Sequence, residues 1–588
     1  MISLKAIISS LIVIYLLSVI AFKLQEAFST RKLETKKETT ITFSDSLLTE
    51  SPYKFNNNAL ANQVLSQLDI VKPIDDSVFK NQFRTKNRFA EPVLGMKSED
   101  DYCERHREYI IKHPLSIFNM NFFLEWNHRS IMRDKVAKVI GRDVQPWVSF
   151  STPKHKKEQF IYSFEPSVNL YVTTVSLYKF KHVGKHYSCL SQTSNHIPGN
   201  AVLARKDYIA EAGIKYVEEF KDRPQCMSYD KIFPKTWLLY NEEDCKDFFA
   251  ELNSPNYQKL KKERRIVYIR KLGVGVHRGE GVFPFNEEEE KLLKETYKNG
   301  EICGEVKTNN IMQYYIHNPL LLNGRKFDFR MYMLVASTNP LIAYYHDGFL
   351  RVSLVSYDKN SDDKKVLLTN LVLSKQIYED VKNNGTLFEG MDEEELRLAQ
   401  QWSFERLQAY LLEEGVIQDP NWLDNYLRPE FKKAMIHLIR SVSQNYFVTS
   451  SVYELYGVDF MLDEDMNLWF IEANDGPAFD GYSIPMEKFI IKMLQDHFEI
   501  IHGLLKSRMK RVINYVNKIT DNGEAVMTSE GKVRIKDLKR KIVEFEEISK
   551  NYFDEEFLPK PTNGFSKIID GNYKGVEMYQ GYITKECL

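Results

Sequence analysis

Polar and apolar residues alternate through two stretches of the chain. In Lys326-Phe327-Asp328-Phe329-Arg330 the charged groups fall on one side of a strand and the phenylalanines on the other, because successive strand side chains point to opposite faces. The second stretch is Asp459-Phe460-Met461-Leu462, an acidic turn Asp463-Glu464-Asp465, then Trp469-Phe470-Ile471-Glu472-Ala473-Asn474. The same period puts Glu472 and Asn474 on the face of Leu468 and Phe470, with Trp469, Ile471 and Ala473 opposite. A carboxylate and an amide beside an otherwise apolar strand suit a hard cation. Lysine and arginine nearby suit phosphate.

Elsewhere the pattern predicts strands over 168–180 and 233–240, and a charged amphipathic helix over 241–262. A helix over 286–297 starts at Asn286 as N-cap and carries a solvated glutamate run. Residues 430–446 read as an amphipathic helix with Phe431, Met435, Leu438 and Val442 on one side. Residues 501–519 read as a basic helix whose Lys506, Arg508, Lys510, Arg511 and Lys518 form a solvated face. Residues 26–60, rich in Thr, Ser, Lys and Asn, read as a tether, and 61–150 as an extension packed on the body. The tail beyond Asn551 shows no strong pattern, and there are no internal repeats. Alternating strands and helices predict an α/β architecture.

The N-terminus differs from the rest. Ala6 to Phe22 is uncharged and apolar, at the lower limit for a membrane-spanning helix. Lys5 precedes it, and Lys23, Arg31, Lys32, Lys36 and Lys37 follow, a bias that places the body on the cytoplasmic side of a membrane or in a mitochondrial matrix. The competing reading is a cleaved secretory signal ending at Val19-Ile20-Ala21. The body itself, 43% hydrophobic and 27% charged, has the composition of a globular domain. A net charge of −1 gives no global field for nucleic acid. The six cysteines, Cys103, Cys189, Cys226, Cys245, Cys303 and Cys587, are irregularly spaced without a CxxC pair. They read as reduced, buried thiols rather than as a zinc site or a disulfide frame, which favours a reducing compartment.

The run Gln313-Tyr314-Tyr315-Ile316, then Asn318-Pro319-Leu320-Leu321-Leu322 and Arg325 to Arg330, resembles the tubulin–tyrosine ligase-like enzymes. So do Tyr456-Gly457-Val458-Asp459-Phe460-Met461 and Ile471-Glu472-Ala473-Asn474, in the family's order, and the loop Ser194-Asn195-His196-Ile197-Pro198-Gly199 followed by Arg205-Lys206-Asp207. The loop is taken as structural, with no chemistry at His196. The resemblance covers about residues 160–500. It implies an ATP-grasp-like fold with N-terminal (151–240), central (241–330) and C-terminal (331–500) lobes. A membrane anchor or signal (1–25) and the linker and extension (26–150) precede them, and a basic helix and tail (501–588) follow.

The resemblance also implies a site for ATP and Mg²⁺. Lys271 matches the lysine before the family's glycine loop, and Gly279 and Gly281 match its end; Leu272 replaces a proline, and the loop is one residue longer. Gln313, Tyr314, Tyr315 and Ile316 match the hinge that meets adenine through backbone groups. Lys326 and Asp328 line the nucleotide. Arg330 faces the γ-phosphate and acyl phosphate, and Arg351 the amino acid or acceptor carboxylate. Thr369 and Asn370 match a nucleotide or metal contact, where Leu367 replaces a histidine. Asp459, Glu472 and Asn474 match the metal ligands, and Asp475 adds a carboxylate. The implied activity is ATP-dependent ligation of an amino acid (glutamate first, then glycine or tyrosine) to a protein carboxylate such as an acidic tubulin tail. An anchored, catalytically inactive subunit of a membrane complex is the alternative. An ATP-using enzyme favours the anchor over the cleaved signal at Ala6–Phe22, with a cytoskeletal or ciliary location as the other option.

Overall fold

The alternating stretch Lys326–Arg330 lies in a strand, Arg325–Thr338, that is buried along its whole length. The computed structural model describes residues 53–69, 99–114, 122–124, 169–172, 189–223, 226, 232–273, 281–369, 390–479 and 481–588, all within one unit, Tyr53–Leu588. Helices α1 (Asn58–Leu68) and α2 (Glu99–Lys112) precede short strands β1 (Phe122–Leu124), β2 (Leu170–Val172) and β3 (Thr193–Asn195), then α3 (Lys206–Phe220). Next come β4 (Thr236–Leu238), α4 (Glu242–Leu252), α5 (Pro255–Glu263), β5 (Tyr268–Leu272), β6 (Val282–Pro284), α6 (Glu287–Thr296) and β7 (Asn310–Tyr314). The third run holds β8 (Leu321–Leu322), β9 (Arg325–Thr338), β10 (Leu341–Ser356), β11 (Gln401–Trp402), α7 (Arg428–Val442), β12 (Val452–Leu462) and β13 (Leu468–Asn474). It ends with α8 (Ile484–Asp521), the hairpin β14 (Ala525–Met527) and β15 (Val533–Ile535), and β16 (Ser566–Asp570).

Ten strands form one sheet in the order β1-β2-β3-β12-β9-β10-β11, with β13 on β12, β16 on β10 and β8 on β9. A separate four-stranded sheet runs β4-β7-β5-β6. The lobe border drawn at residue 330 therefore falls inside β9, which belongs to the large sheet. Phe327, Phe329, Met331, Met333 and Val335 enter a core closed by α7. Tyr332, Leu334 and Ala336 enter a second core closed by α8. Helices on both faces let this interior strand be apolar on two sides. Burying each such large side chain stabilises by roughly 1.5–3 kcal/mol.

Local chemistry explains where several elements begin. Asn286 accepts from the Glu289 N–H and caps α6, as its position predicts. The helix expected over 241–262 is two: Ser254 caps a second helix with Pro255 at its start, because proline tolerates only the first turn. The expected strand at 168–180 is seen at Leu170–Val172, and its remainder lies outside the described residues. So does the apolar run 6–22; among the described residues no helix is long and apolar enough to cross a membrane.

Three readings of the periphery change. The proposed tether ends before residue 60, because Phe55 is buried and Asn57 caps α1. The helix α1 packs with α2 and the C-terminal half of α8 in a third core; apart from residues 99–114 and β1, 70–150 lies outside the described residues. The basic helix at 501–519 is the second half of α8, and its face is not solvated at Arg508, which is buried and bonded to Asn551 Oδ1 at 3.0 Å and Gln192 O at 3.0 Å. The patternless tail returns as β16, antiparallel to β10. The reading of the cysteines as reduced thiols is overturned: Cys103–Cys189, Cys226–Cys587 and Cys245–Cys303 are disulfides.

Candidate functional site

The polar end of β9 meets its neighbours in strict register. Arg351 on β10 lies opposite Asp328, and Asp459 on β12 lies opposite Arg330, close enough for directly opposed side chains to pair. Arg330 donates from Nε to Asp459 Oδ1 at 2.5 Å and from Nη2 to Oδ2 at 3.0 Å. Arg351 donates from Nε to Asp328 Oδ1 at 2.5 Å and from Nη2 to Asp459 Oδ2 at 2.8 Å. Thr369 Oγ1 donates to Asp328 Oδ2. Burial works against both guanidinium charges, but Asp459 beside Arg330 and Asp328 beside Arg351 outweigh it and hold both arginines above their ordinary value. Two glycines make this possible. A Cβ on Gly348 would lie 1.6 Å from the Arg330 carbonyl oxygen, and one on Gly457 would lie 3.3 Å from Arg330 Cδ.

The strand β13 supplies the next layer. Glu472 lies opposite Asp459 and Asn474 opposite Gly457. The pairing slips by one residue between Asp459 and Phe460, so Ile471 is a bulge. The alternation expected from sequence is reset there: Phe470 and Ala473 both enter the core, leaving Glu472 and Asn474 on the opposite face, beside Asp459 and Gly457. Glu472 is half-buried and 3.0 Å from Lys206 Nζ on α3. Burial would raise its carboxyl, but Lys206, then Lys271 and Arg351, bring it down to about 2. Next to Asn474, Asp475 accepts from Asn200 Nδ2 at 3.1 Å.

Two buried lysines complete the cluster. Lys271 on β5 donates to Gln313 Oε1 at 2.6 Å. Burial, with Lys206 nearby, lowers it to about 8 against the pull of Glu472. Lys326 donates to the Tyr315 hydroxyl and the Leu367 carbonyl, each at 2.9 Å. Burial, with Lys271 nearby, lowers it to about 7 against the pull of Asp328. Both lysines thus have neutral hydrogen-bond partners in a cluster where Lys206, Arg330 and Arg351 already share Asp328, Asp459 and Glu472. A buried excess of cations wants an anion, and a polyphosphate fits it. Beside Lys326, Ile266, Ile269, Tyr315 and Leu367 form a small apolar cluster that suits a flat base. Leu367, where the resemblance has histidine, contributes its carbonyl to Lys326 and its side chain to this wall.

Several expected residues stand differently from their predicted roles. Asp459, expected as a metal ligand, has both oxygens engaged by arginines, and Arg330 is turned to that carboxylate. Among the described residues no three His, Cys, Asp or Glu side chains are grouped to hold a metal. Glu472 and Asn474 remain as oxygen donors, which fits Mg²⁺, an ion that commonly takes one or two carboxylates and completes its shell with phosphate and water. The Tyr314 and Tyr315 N–H groups of the hinge bond to Lys235 O at 2.8 Å and Val267 O at 3.0 Å, and Gln313 pairs with Thr236 and Ile269. Ile316, buried just past the end of β7, is the hinge residue beyond these pairings. Gly281 closes the β5–β6 hairpin by accepting from Leu272 N at 2.8 Å. Gly279 and Asn370 lie outside the described residues. His196, expected to carry no chemistry, meets Glu454 Oε1 through its Nδ1 at 2.9 Å, and Glu454 also accepts from Ile197 N and Asn200 Nδ2. Lys206 was not foreseen as a site residue, although its place in Arg205-Lys206-Asp207 marked it.

A cleft of about 1220 Å³ opens beside the end of β5, between α3, residues 304–310 and the end of α7; Arg205, Glu211, Lys307, Arg440 and Tyr446 are among its walls. The sequence profile described as the Tubulin-tyrosine ligase family matches residues 183–511, more than half of the chain. The chain belongs to that family. Similar proteins are a "Probable beta-tubulin polyglutamylase" of Tetrahymena thermophila, 26% identical over 56% of this chain and 25% of its own length, and "Tubulin glycylase 3C" of the same organism, 31% identical over 40% and 21%. A "Probable tubulin polyglutamylase ttll-9" of Caenorhabditis elegans is 26% identical over 58% of this chain and 72% of its own length. The chain thus spans a quarter or less of the first two relatives. Tubulin–tyrosine ligase family membership accounts for the order of the motifs around the cluster, and the matched region includes every residue that forms it.

Proposed function

We propose that the protein is an ATP-dependent ligase that joins an amino acid to a protein carboxylate. The observation that carries this reading is the pair of buried lysines, Lys271 and Lys326, set among neutral partners beside an ionised Glu472. Lys271 and Lys326 would hold phosphate oxygens, the apolar wall of Ile269, Tyr315 and Leu367 the base, and Glu472 with Asn474 the Mg²⁺. Bound MgATP supplies the phosphoryl group that activates the acceptor carboxylate. Arg330 and Arg351 are fixed by Asp328 and Asp459 at the adjoining wall. Preorganised donors of this kind stabilise developing negative charge without reorganising. Relatives named as polyglutamylases and glycylases make glutamate and glycine the first amino acids to test, and an acidic tail of the tubulin kind the first acceptor. A second reading, a family member without turnover, is favoured by the engagement of both Asp459 oxygens and the loss of histidine at Leu367.

The test is incorporation of labelled glutamate, glycine or tyrosine with MgATP, run beside MgATP binding by calorimetry. Glu472→Gln is near-isosteric and removes the metal-ligand charge. It should cut incorporation by roughly 100-fold or more, the scale for a group acting on transition-state charge, while the melting temperature stays close to that of the wild type. Unchanged Mg²⁺-dependent binding and turnover would take Glu472 out of the site. A wild-type protein that binds no MgATP would leave the second reading.

A further inference from the structure

We infer that the body of this protein folds and acts in an oxidising compartment, so that its acceptor is a carboxylate on a protein of that compartment. The acceptor half rests on the ligase reading above; the compartment half does not. The chain has six cysteines, and the fold joins all of them, with no free cysteine left. The bridged Cα atoms are 5.4, 5.0 and 5.7 Å apart for Cys103–Cys189, Cys226–Cys587 and Cys245–Cys303, within the span that a disulfide requires. Six irregularly spaced cysteines allow many pairings. This fold brings each one to a single buried partner across 86, 361 and 58 residues of sequence.

The bridges are distributed where they fasten separate parts. Cys245–Cys303 lies beside the four-stranded sheet, in the core with Phe248 and Tyr297. Cys103–Cys189 ties α2 of the extension to the loop before β3. Cys226–Cys587 ties the segment after α3 to the penultimate residue, and that end is held again by Arg440 Nη2 on Cys587 O at 2.5 Å and Arg223 Nη1 on Leu588 O at 3.2 Å. Closing such long loops restricts the unfolded chain and so favours the fold. Glutathione-buffered compartments keep thiols reduced, and structural bridges are rare there. Three buried bridges that use every cysteine therefore point to an oxidising lumen, in place of the cytosolic face that the flanking lysines predict. Of the two readings of Ala6–Phe22, the secretory signal supplies the route.

With ATP as co-substrate the reaction balances. An acceptor carboxylate oxygen bonds to the γ-phosphorus and ADP leaves. The incoming amine nitrogen then bonds to the acyl carbon, phosphate leaves with that oxygen, and the amine proton goes to solvent.

The full chain, with its own N-terminus, is expressed in eukaryotic cells and quenched in denaturant with an alkylating maleimide before and after reduction. The expected result is no labelled cysteine before reduction, six after it, and the three bridged peptide pairs by mass spectrometry. In intact vesicles the body should resist added protease until detergent is present. Six labelled cysteines before reduction, or digestion without detergent, overturns the compartment. For the acceptor, oxidised protein that binds MgATP is offered labelled glutamate and glycine with a lumenal protein fraction or with tubulin. Label in the lumenal fraction alone supports the inference; label in tubulin alone, or in neither, overturns its acceptor half. Bridged, protected protein that binds no MgATP supports the compartment and overturns the ligase.

Discussion

Lys326, Asp328 and Arg330 share one face of β9 with Tyr332, Leu334 and Ala336, yet the two halves of that face are held by different physics. The apolar half packs against α8 by area and shape, a force without direction that tolerates substitution of similar volume. The polar half is a buried ladder of Arg330, Asp459, Arg351 and Asp328, closed by directional bonds. A buried ion pair rarely adds net stability over a packed apolar pair, but removing one partner is costly. Stability alone therefore does not explain why this end of the strand is charged; the ligase reading proposed above, with a polyphosphate at the neighbouring lysines, would.

The largest expected effect breaks the ladder at its shared member. Asp459→Ala leaves two buried guanidiniums short of a carboxylate and should cost about 3–5 kcal/mol in chemical denaturation. Leu334→Ala, on the apolar half, should cost about 2–5 kcal/mol through lost burial and the cavity left behind. The double variant Asp459→Leu with Arg330→Met should recover much of the first loss, because the pair is replaced by apolar groups rather than severed. If the double variant is as unstable as Asp459→Ala, the polar half contributes net stability and the two halves of the face do not differ in this way.

Much of this contrast was legible before the fold was known. The alternation at Lys326–Arg330 placed its charges on one face, and Asp459, Glu472 and Asn474 are brought to the same wall. What sequence could not reveal were long-range placements. A surface edge strand and an interior strand carry similar charged alternation, and only the partners β10 and β12 make β9 interior. A one-residue bulge at Ile471 leaves no compositional mark, yet it reverses the face of every residue beyond it. Arg508 reads as one more cation on a basic helix until β3 and the segment at Asn551 close over it. The cysteine pairs, up to 361 residues apart, carry no local signal at all.

Lys326→Met sharpens the contrast from the other side. The methionine keeps the apolar stem and deletes a buried charge whose hydrogen-bond partners are neutral. Thermal stability at pH 7 should hold or rise, since a buried charge with only neutral hydrogen-bond partners carries a desolvation cost that the methionine removes. MgATP affinity should fall by roughly 10- to 100-fold, the worth of about 1.5–3 kcal/mol for a hydrogen bond to a charged group. Loss of stability together with unchanged affinity would make Lys326 a structural residue.

The smallest effect is in protons. Burial holds Lys326 at about 7 and Lys271 at about 8, both below the ordinary 10.5. Between those values and 10.5 the unfolded chain keeps protons that the folded chain has lost, so these two groups make stability rise with pH across that window. As pH falls through 8 and then 7 the fold must accept buried charge, and that contribution is lost. An anion at the cluster favours the charged lysines and raises both values. MgATP binding at pH 8 should therefore take up a proton, on the order of one, and weaken as pH rises further. Titration calorimetry in buffers of different ionisation heat reads this uptake directly. It should shrink in Lys326→Met and stay unchanged in Leu334→Met, on the apolar half of the same face. A heat of binding that does not depend on the buffer would mean that the nucleotide does not meet these lysines.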